Sequence, residues 1–220
     1  MQEGAYTKDF TRVRAIPVEE LYPSPIATAE LVGREEELRI INEAVSDSSQ
    51  RCILYITGQG GIGKTKLVQH VLKVLERRKE LLVGSRLIDM YHTINHTVEG
   101  FIQAVQQTLS PSGEGFDNYM EKRKEFYEIT PSMIEAFISD LNRLAKERRI
   151  VLALDTVEKL FLQEDPLAER LRISATRYPI YNWLVEEFLP KLQNAVIIIA
   201  GRPVSFASVE EDFKKTGRFI

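Results

Sequence analysis

The chain has 220 residues, of which 44% are hydrophobic and 28% are charged, so it can bury the core of an α/β domain and wholesale disorder is excluded. A net charge of −3 gives no reason to expect a nucleic-acid partner held by electrostatics. The single cysteine, Cys52, excludes a disulfide framework, and no apolar run is as long as a membrane helix. The N-terminus also lacks a secretory signal pattern, so we expect a cytoplasmic protein.

Residues 1–26 are predicted to form an N-terminal arm or linker. They contain Pro17, Pro23 and Pro25, and their hydrophobic periodicity is weak. The domain itself is expected over residues 27–220. Its last residues have the pattern of the start of a further strand. We therefore expect the domain to be truncated at its C-terminal end and the chain to be a fragment of a longer protein.

A helix with Leu38, Ile41 and Val45 on one face is predicted next, followed by a strand over Cys52–Thr57. A glycine-rich loop joins this strand to a second amphipathic helix, whose apolar stripe begins at Leu67. Strand, glycine loop and helix in this order are the context of a phosphate-binding loop. Glycines allow several backbone N–H groups to point at one phosphate chain, and the helix N-terminus adds its positive end.

The glycine loop predicts ATP or ADP and Mg²⁺ as ligands. Lys64 can reach the terminal phosphates as a point charge, and the Thr65 hydroxyl can ligate Mg²⁺. The sequence has no Asn-Lys-x-Asp segment, which would read guanine, and this favours adenine. The residues expected to contact the nucleotide here are Gly58, Gln59, Gly60, Gly61, Ile62, Gly63, Lys64, Thr65 and Lys66.

Leu81–Met90 is predicted to be the second strand, weakened by Gly84. Three helices, beginning near Val98, Phe116 and Thr130, are expected to form a helical insertion between the second and third strands. We expect their apolar and aromatic stripes to belong to the core and not to a ligand site. The stripe of the second of these helices is Phe116, Tyr119, Met120, Phe126 and Tyr127.

Ile150–Leu154 is predicted to be the third strand, and its unbroken apolar run suits a central parallel strand that is covered on both faces. A helix is expected from about Tyr178, with Pro190 distorting its last turn. The fourth strand is expected over Ala195–Ala200. Strands and helices alternate along the chain, so the predicted fold class is α/β: a three-layer P-loop NTPase with a parallel sheet flanked by helices.

Asp155 ends the third predicted strand, at the position of an acid that holds Mg²⁺, usually through water. Ligands of an open parallel sheet gather beyond the carboxyl ends of its strands, so we expect Asp155 and the glycine loop to converge. The structural alternative is that Asp155 caps the N-terminus of a following helix.

Two further residues are candidates for the hydrolysis step. The attacking water needs a carboxylate to orient it, and Thr156, beside Asp155, cannot act as that base. Glu158 is the nearest acid and the candidate; the alternative is a solvated glutamate in the first turn of a helix. Arg202 follows the fourth strand and can sense or stabilise the charge of the terminal phosphate if that strand lies between the first and third; the alternative is a surface arginine. The predicted catalytic residues are Lys64, Asp155, Glu158 and Arg202, and the predicted metal ligands are Thr65 and Asp155.

Four motifs occur in the order found in a known group of ATPases. They are Leu31-Val32-Gly33-Arg34-Glu35-Glu36-Glu37, the glycine loop, Val151-Leu152-Ala153-Leu154-Asp155 and Ile199-Ala200-Gly201-Arg202-Pro203. Over about residues 27–220 the chain resembles the signal-transduction ATPases with numerous domains, a group that includes apoptotic and plant-resistance ATPases and many bacterial regulators. It is also similar to the AAA+ ATPases of the origin-recognition type.

The resemblance implies a sheet order of 5-1-4-3-2, which would place Arg202 in a sensor role. It also implies that Val32, Gly33 and Arg34 lie against the adenine and ribose side of the nucleotide. In that family a helical lid, a winged helix and repeat modules usually follow this core, and all would begin beyond the end of this chain. Relatives often carry an acid where this sequence has Thr156, which puts the rate of turnover in question more than binding.

The leading interpretation is the ATP/ADP-binding core of a multidomain signalling ATPase. It would be a switch that rests with ADP, opens with ATP and slowly hydrolyses the β–γ phosphoanhydride with Mg²⁺. It would assemble with itself or with protein partners through regions absent from this chain. The alternative is an active AAA+ type ATPase, with faster turnover, that remodels or loads a protein or DNA partner. The net charge of −3 argues against direct nucleic-acid binding by this segment, and no membrane contact is expected. A small-molecule kinase is a more distant alternative.

Overall fold

The computed structural model describes residues 33–47, 51–125, 127–161, 179–203, 209–216 and 218–219. These ranges all belong to one compact unit that begins at Gly33. The expected arm, Val32 of the predicted nucleotide site, Phe126 and the expected helix start at Tyr178 lie outside the described residues.

The helices and strands alternate over the described ranges, as the α/β prediction requires. The α-helices are α1 Glu35–Ser46, α2 Lys64–Leu75, α3 Val98–Leu109, α4 Asp117–Glu125, α5 Pro131–Glu147, α6 Pro179–Trp183, α7 Leu189–Lys191 and α8 Val209–Lys214. The strands are β1 Cys52–Thr57, β2 Leu81–Val83, β3 Ile88–Asp89, β4 Arg149–Asp155, β5 Ala195–Gly201 and β6 Arg218–Phe219. Short 3₁₀ turns lie at Thr93–His96 and Val157–Leu160. Within the described ranges, none of the helices is long and apolar enough to cross a membrane.

The strands form one parallel sheet in the order β2-β4-β5-β1-β6, and β3 also pairs with β4. If β2 and β3 are counted as one interrupted strand, this is the expected order 5-1-4-3-2. The central strands β4 and β5 are buried along their whole length, as their continuous apolar sequences predict. Because β5 lies between β1 and β4, the carboxyl ends of these three strands meet at one edge of the sheet.

The interruption between β2 and β3 has a local cause in the hydrogen bonds of its backbone. Gly84 still donates to the carbonyl of Val151 in β4, at 2.8 Å, but Ser85 donates to the carbonyl of Thr108 in α3, at 2.9 Å. The Thr108 hydroxyl then accepts from the backbone N–H of Arg86, at 3.0 Å. Since α3 satisfies these backbone groups in place of the neighbouring strand, the single strand predicted here is two short ones.

The insertion helices pack on the sheet through buried aromatic rings, as predicted. Phe101, Phe116 and Phe137 are fully buried, and the rings of Phe116 and Phe137 stack with their centroids 5.6 Å apart. The prediction was wrong for two members of the aromatic stripe, since Met120 is 38% and Tyr127 is 98% exposed. The physical reasons are that Met120 lies on the outer side of α4 and that α4 ends before Tyr127.

A buried carboxylate joins α4 to α5. The Asp140 side chain in α5 has no exposed surface, and it accepts from the Tyr119 backbone N–H at 2.9 Å and from the Asn118 amide at 2.7 Å. Arg143 also donates to it, at 3.1 Å. Asp140 therefore satisfies the backbone N–H of Tyr119 in the first turn of α4, and it also holds the side chain of Asn118.

The helix before β5 is distorted in its last turns, as its proline predicts. A π-helical segment, Leu184–Phe188, joins α6 to α7 immediately before Pro190, which has no N–H to continue the regular ladder. Arg51 donates to the carbonyls of Pro190 and Leu192, at 2.8 and 2.7 Å. The carbonyl groups at the C-terminal end of this helix are thereby satisfied by the side chain of Arg51, which precedes β1.

Candidate functional site

The glycine loop connects the end of β1 to the start of α2 at the sheet edge. Gly61 and Gly63 have φ angles of +83° and +89°, which glycine adopts without strain. A terminal nitrogen of Arg202 lies close to Gly60, 2.9 Å from the place that a Cβ atom would take. The loop therefore needs glycine for its backbone angles at Gly61 and Gly63, and an arginine approaches it closely at Gly60.

Lys64 is the first residue of α2, and its side chain folds back across the loop. Its Nζ atom donates to the carbonyls of Gly58, at 2.7 Å, and Gln59, at 2.9 Å. The ammonium group is thus held at the loop, where the sequence places a phosphate chain. Lys66, also in the first turn of α2, has an exposed side chain.

The two residues predicted to hold the metal are brought together. The Thr65 hydroxyl donates to Oδ2 of Asp155, with the two oxygens 2.6 Å apart. Asp155 is only 6% exposed, and its other oxygen accepts from the backbone N–H of Thr156, at 2.9 Å. A hydroxyl and a carboxylate at this spacing are the oxygen donors that Mg²⁺ takes in proteins, so the residues present fit that ion.

Glu158 and Arg202 are also in contact. Oε2 of Glu158 accepts from the Arg202 backbone N–H at 3.0 Å, and Oε1 lies 3.6 Å from the Arg202 Nε atom. The Glu158 side chain is 12% exposed and that of Arg202 is 66% exposed. Because Arg202 also lies against Gly60, its guanidinium group bridges the carboxylate and the glycine loop.

Thr156 has an unusual backbone conformation. Its φ and ψ angles are 60° and 35°, in the left-handed region, where a β-branched residue is strained. This conformation turns the chain between β4 and the 3₁₀ segment that carries Glu158. The strain therefore lies between the two acidic residues of the site.

The segment before α1 reaches the glycine loop through one arginine. Arg34 donates to the carbonyl of Ile62 at 2.6 Å and forms an ion pair with Glu37. Gly33 has a φ angle of +74° and turns the chain into α1. Of the three residues expected on the base side of the nucleotide, the structure brings Arg34 to the loop and places Gly33 next to it.

A mostly apolar cavity of about 280 Å³ lies between α1, β1 and the glycine loop. Ile40 and Tyr55 line it together with Arg34, Ile62 and Lys64. Burial raises the pKa of the Tyr55 phenol, so this side chain is neutral at physiological pH. The sequence analysis missed Ile40 and Tyr55, and only their position on the inner sides of α1 and β1 could have indicated them.

Asp89 is a third residue that the sequence analysis missed. It ends β3 and pairs in register with Asp155, and paired residues of neighbouring parallel strands point to the same face of the sheet. Its carboxylate accepts from the Tyr91 backbone N–H at 2.8 Å. The sequence did contain a signal for Asp89, because it is an acid near the carboxyl end of the second predicted strand. Asp155 was predicted from the same kind of position in the third strand.

Comparisons with known proteins identify the family and the fold. The family model described as an AAA ATPase domain matches residues 30–175. A structure of Drosophila ORC bound to DNA has a TM-score of 0.52 and 20% identity, covering 92% of this chain and 43% of that one. A structure of the Aeropyrum pernix ORC2 protein in ADPNP–ADP complexes has a TM-score of 0.48 and 13% identity, covering 88% and 47%.

The chain thus spans less than half the length of these solved chains, and at these identities the likeness concerns the fold. A search of curated protein sequences found no match. The family model, however, matches well over half of the chain, across the glycine loop, the insertion helices and Asp155. The chain belongs to the AAA ATPase domain family, with a P-loop AAA+ core of the kind found in origin recognition complex proteins.

Proposed function

We propose that this chain is the ATP/ADP-binding core of a multidomain signalling ATPase. It acts as a nucleotide-dependent switch that slowly hydrolyses the β–γ phosphoanhydride of ATP with Mg²⁺. The observation that carries the proposal is the 2.6 Å contact between Thr65 and Asp155 beside the glycine loop. A phosphate loop whose hydroxyl meets a buried acid is the arrangement that P-loop ATPases use to hold Mg²⁺ and the terminal phosphates.

In this proposal the glycine loop, from Gly58 to Thr65, wraps the phosphates, with Lys66 in the next turn of the helix. Lys64 exchanges the loop carbonyls for phosphate oxygens. Thr65 and Asp155 would hold Mg²⁺, and the bound ion would offset the negative charge of the terminal phosphates. Glu158 orients the attacking water, and Arg202 contacts the terminal phosphate.

The cavity beside the loop is the proposed base site. At about 280 Å³ it has the size and apolar lining that suit a planar base, with Arg34 at its polar end. Val32 and Gly33, the residues before Arg34, are assigned to the same adenine and ribose side. The phenol of Tyr55 lines this cavity and is neutral, so its ring can contact the base without adding charge to the site.

A slow switch is favoured over an active remodelling ATPase by the residue that follows Asp155. Thr156 cannot serve as a general base, so the only acid proposed for that role is Glu158, which already contacts Arg202. The alternative, an AAA+ ATPase that loads a protein or DNA partner, is favoured only by the structural likeness to the DNA-bound Drosophila ORC. Self-assembly and protein partners are assigned to regions outside this chain, and the net charge of −3 argues against DNA contact here. We place the switch in the cytoplasm, because its N-terminus lacks a secretory signal pattern.

The first test is to denature the purified protein and identify the nucleotide that it releases. A switch that rests in its product state should release close to one ADP per chain. The Lys64→Ala variant should release far less and should bind added ADP at least about 100-fold more weakly, since phosphate contacts of a charged donor are among the strongest in such sites.

The matched control is Lys73→Ala, which removes an exposed lysine from the last turn of the same helix. It should release ADP like the unmodified chain. Unchanged ADP affinity in the Lys64 variant would refute the assigned site, and brisk ATP turnover by a chain that releases no nucleotide would favour the remodelling ATPase instead.

A further inference from the structure

In the described structure, the Glu158 carboxylate already contacts Arg202. One of its oxygens accepts from the Arg202 backbone at 3.0 Å and the other faces Nε of the same residue at 3.6 Å. The side chain is only 12% exposed. Because both oxygens face Arg202, the position of the carboxylate is set by that residue and not by a water molecule on a phosphate.

Arg202 meets the glycine loop through the other end of its guanidinium group. A terminal nitrogen lies 2.9 Å from the position of a Cβ atom on Gly60, while Nε is the atom that faces Glu158. The side chain is 66% exposed, so it can move toward the loop. The same cation therefore lies between the acid and the place where the sequence puts the terminal phosphates.

Gly201, the last residue of β5, provides independent support. It is not among the glycines with positive φ, so its backbone does not require glycine. A Cβ atom at this position would lie 2.9 Å from Oε2 of Glu158 and 3.4 Å from the Val157 nitrogen. A glycine weakens a strand, and here its absence of a side chain is what makes room for the Glu158 carboxylate.

We propose that Glu158 and Arg202 form a latch that only a nucleoside triphosphate opens. This rests on the function proposed above. The γ-phosphate of ATP competes with Glu158 for the guanidinium group, and Glu158 is released to orient water only when Arg202 has moved. ADP has no γ-phosphate, so the pair stays closed in the product state and the resting switch keeps its water-orienting acid occupied.

In the hydrolysis that follows release, atoms and charges balance without a further reactant. The water oxygen bonds to the γ-phosphorus while the bond from that phosphorus to the β–γ bridging oxygen breaks. The electron pair of the broken bond leaves with ADP. One water proton passes through Glu158 to the released phosphate, after which the carboxylate can pair with Arg202 again.

The latch predicts an effect on binding that a water-orienting role alone does not. In Glu158→Gln the ion pair is lost while the amide oxygen can still accept from the Arg202 backbone. Arg202 can then contact the γ-phosphate without first breaking an ion pair. The affinity for a hydrolysis-resistant ATP analogue with Mg²⁺ should therefore rise by about fivefold, which corresponds to the free energy of one partly exposed ion pair. The affinity for ADP should not change, and ATP hydrolysis should be lost.

Gly201→Ala should act in the same direction, because its methyl group displaces the carboxylate. Arg202→Ala should instead lower the affinity for the analogue and leave the affinity for ADP unchanged. Thermal unfolding checks that each variant is folded. The matched control is Glu187→Gln, which breaks an exposed ion pair with Lys191 and should change neither affinity.

The outcomes separate the latch from the function on which it rests. If Glu158→Gln leaves the ratio of analogue to ADP affinity unchanged while the unmodified chain binds both nucleotides, the latch is overturned and the proposed function stands. If the unmodified chain binds neither nucleotide, the proposed function itself fails. A raised ratio in Glu158→Gln and Gly201→Ala, but not in Glu187→Gln, supports the latch.

Discussion

Thr156 carries strain at the centre of the candidate site. A β-branched residue at φ 60° and ψ 35° costs about 1–2 kcal/mol relative to a favoured conformation. Its backbone N–H is also the donor to Asp155 at 2.9 Å. The strained turn therefore holds the buried acid in place, and it sets the direction in which the chain leaves toward Glu158.

Replacing Thr156 with glycine should relieve this strain. We expect Thr156→Gly to raise the free energy of unfolding by about 1 kcal/mol, because glycine adopts the left-handed region freely and the gain exceeds its greater entropy loss. Thr156→Asn, which tolerates the same region, should gain part of this. Urea unfolding at equilibrium measures both, and a lower free energy of unfolding in the glycine variant would show that the threonine side chain contributes contacts that outweigh the strain.

At the residue scale, the sequence predicted types of residue better than their contacts. The loop glycines could be predicted because their spacing is tied to one backbone path, and the structure has Gly61 and Gly63 at positive φ. The contact between Glu158 and Arg202 could not be predicted from the residues, because it depends on the neighbouring position of β4 and β5 and on the turn at Thr156. Neither feature leaves a periodic signal in the sequence.

At the scale of elements, α4 depends on a residue of its neighbour. Its mostly polar sequence buries little beyond Tyr119, so its own apolar surface holds it only weakly. Asp140 of α5 supplies an acceptor to the first turn of α4 from a fully buried position. The position of the insertion therefore rests on one carboxylate in addition to its stacked rings.

Removing this acceptor should destabilise the fold. We expect Asp140→Ala to lower the free energy of unfolding by about 2 kcal/mol or more, because the buried backbone N–H of Tyr119 loses its acceptor and the Asn118 side chain loses one as well. The control is Asp117→Ala, which removes a 78% exposed carboxylate that pairs with Arg143 and should cost less than about 1 kcal/mol. Chemical denaturation measures the free energy of unfolding of both variants. Equal decreases would show that the buried position of Asp140 does not make its hydrogen bonds more stabilising than those of an exposed carboxylate.

The existence and type of the main elements could be predicted from periodicity, and their breaks could not. Gly84 indicated a weak second strand, but the break itself comes from hydrogen bonds to Thr108 in α3, which only the packed structure brings close. Pro190 predicted a distorted helix, since the loss of one N–H acts locally.

At the scale of the whole molecule, the candidate site joins three strands. The glycine loop follows β1, Asp155 ends β4 and Arg202 follows β5, with β5 paired to both of the others. The order of these strands was expected from the family resemblance and not from periodicity, which carries no information on which strands are neighbours. The structure confirms that order.

Binding at this junction should stabilise the entire domain. With Mg²⁺ and nucleotide at about 100 times the dissociation constant, the free energy of unfolding should rise by about 2.7 kcal/mol. Chelating the metal should remove part of this gain, and Thr65→Ala should lose the same part while metal is present. Thermal unfolding with and without a chelator measures both effects, with Lys73→Ala as the control; a full gain in the Thr65 variant would show that its hydroxyl does not hold the metal.

The contacts that build the site join segments that are far apart in the chain. Thr65 and Asp155 are 90 positions apart, and residues of β1 pair with residues of β5 such as Cys52 with Val196. Closing such long loops costs entropy before any contact repays it, so these pairings are slow steps of folding. A chain that has collapsed but has not yet inserted β5 between β1 and β4 lacks the complete site. Nucleotide can therefore select only chains whose central sheet is finished, and a nascent chain gains its affinity for nucleotide late, when β5 has taken its place.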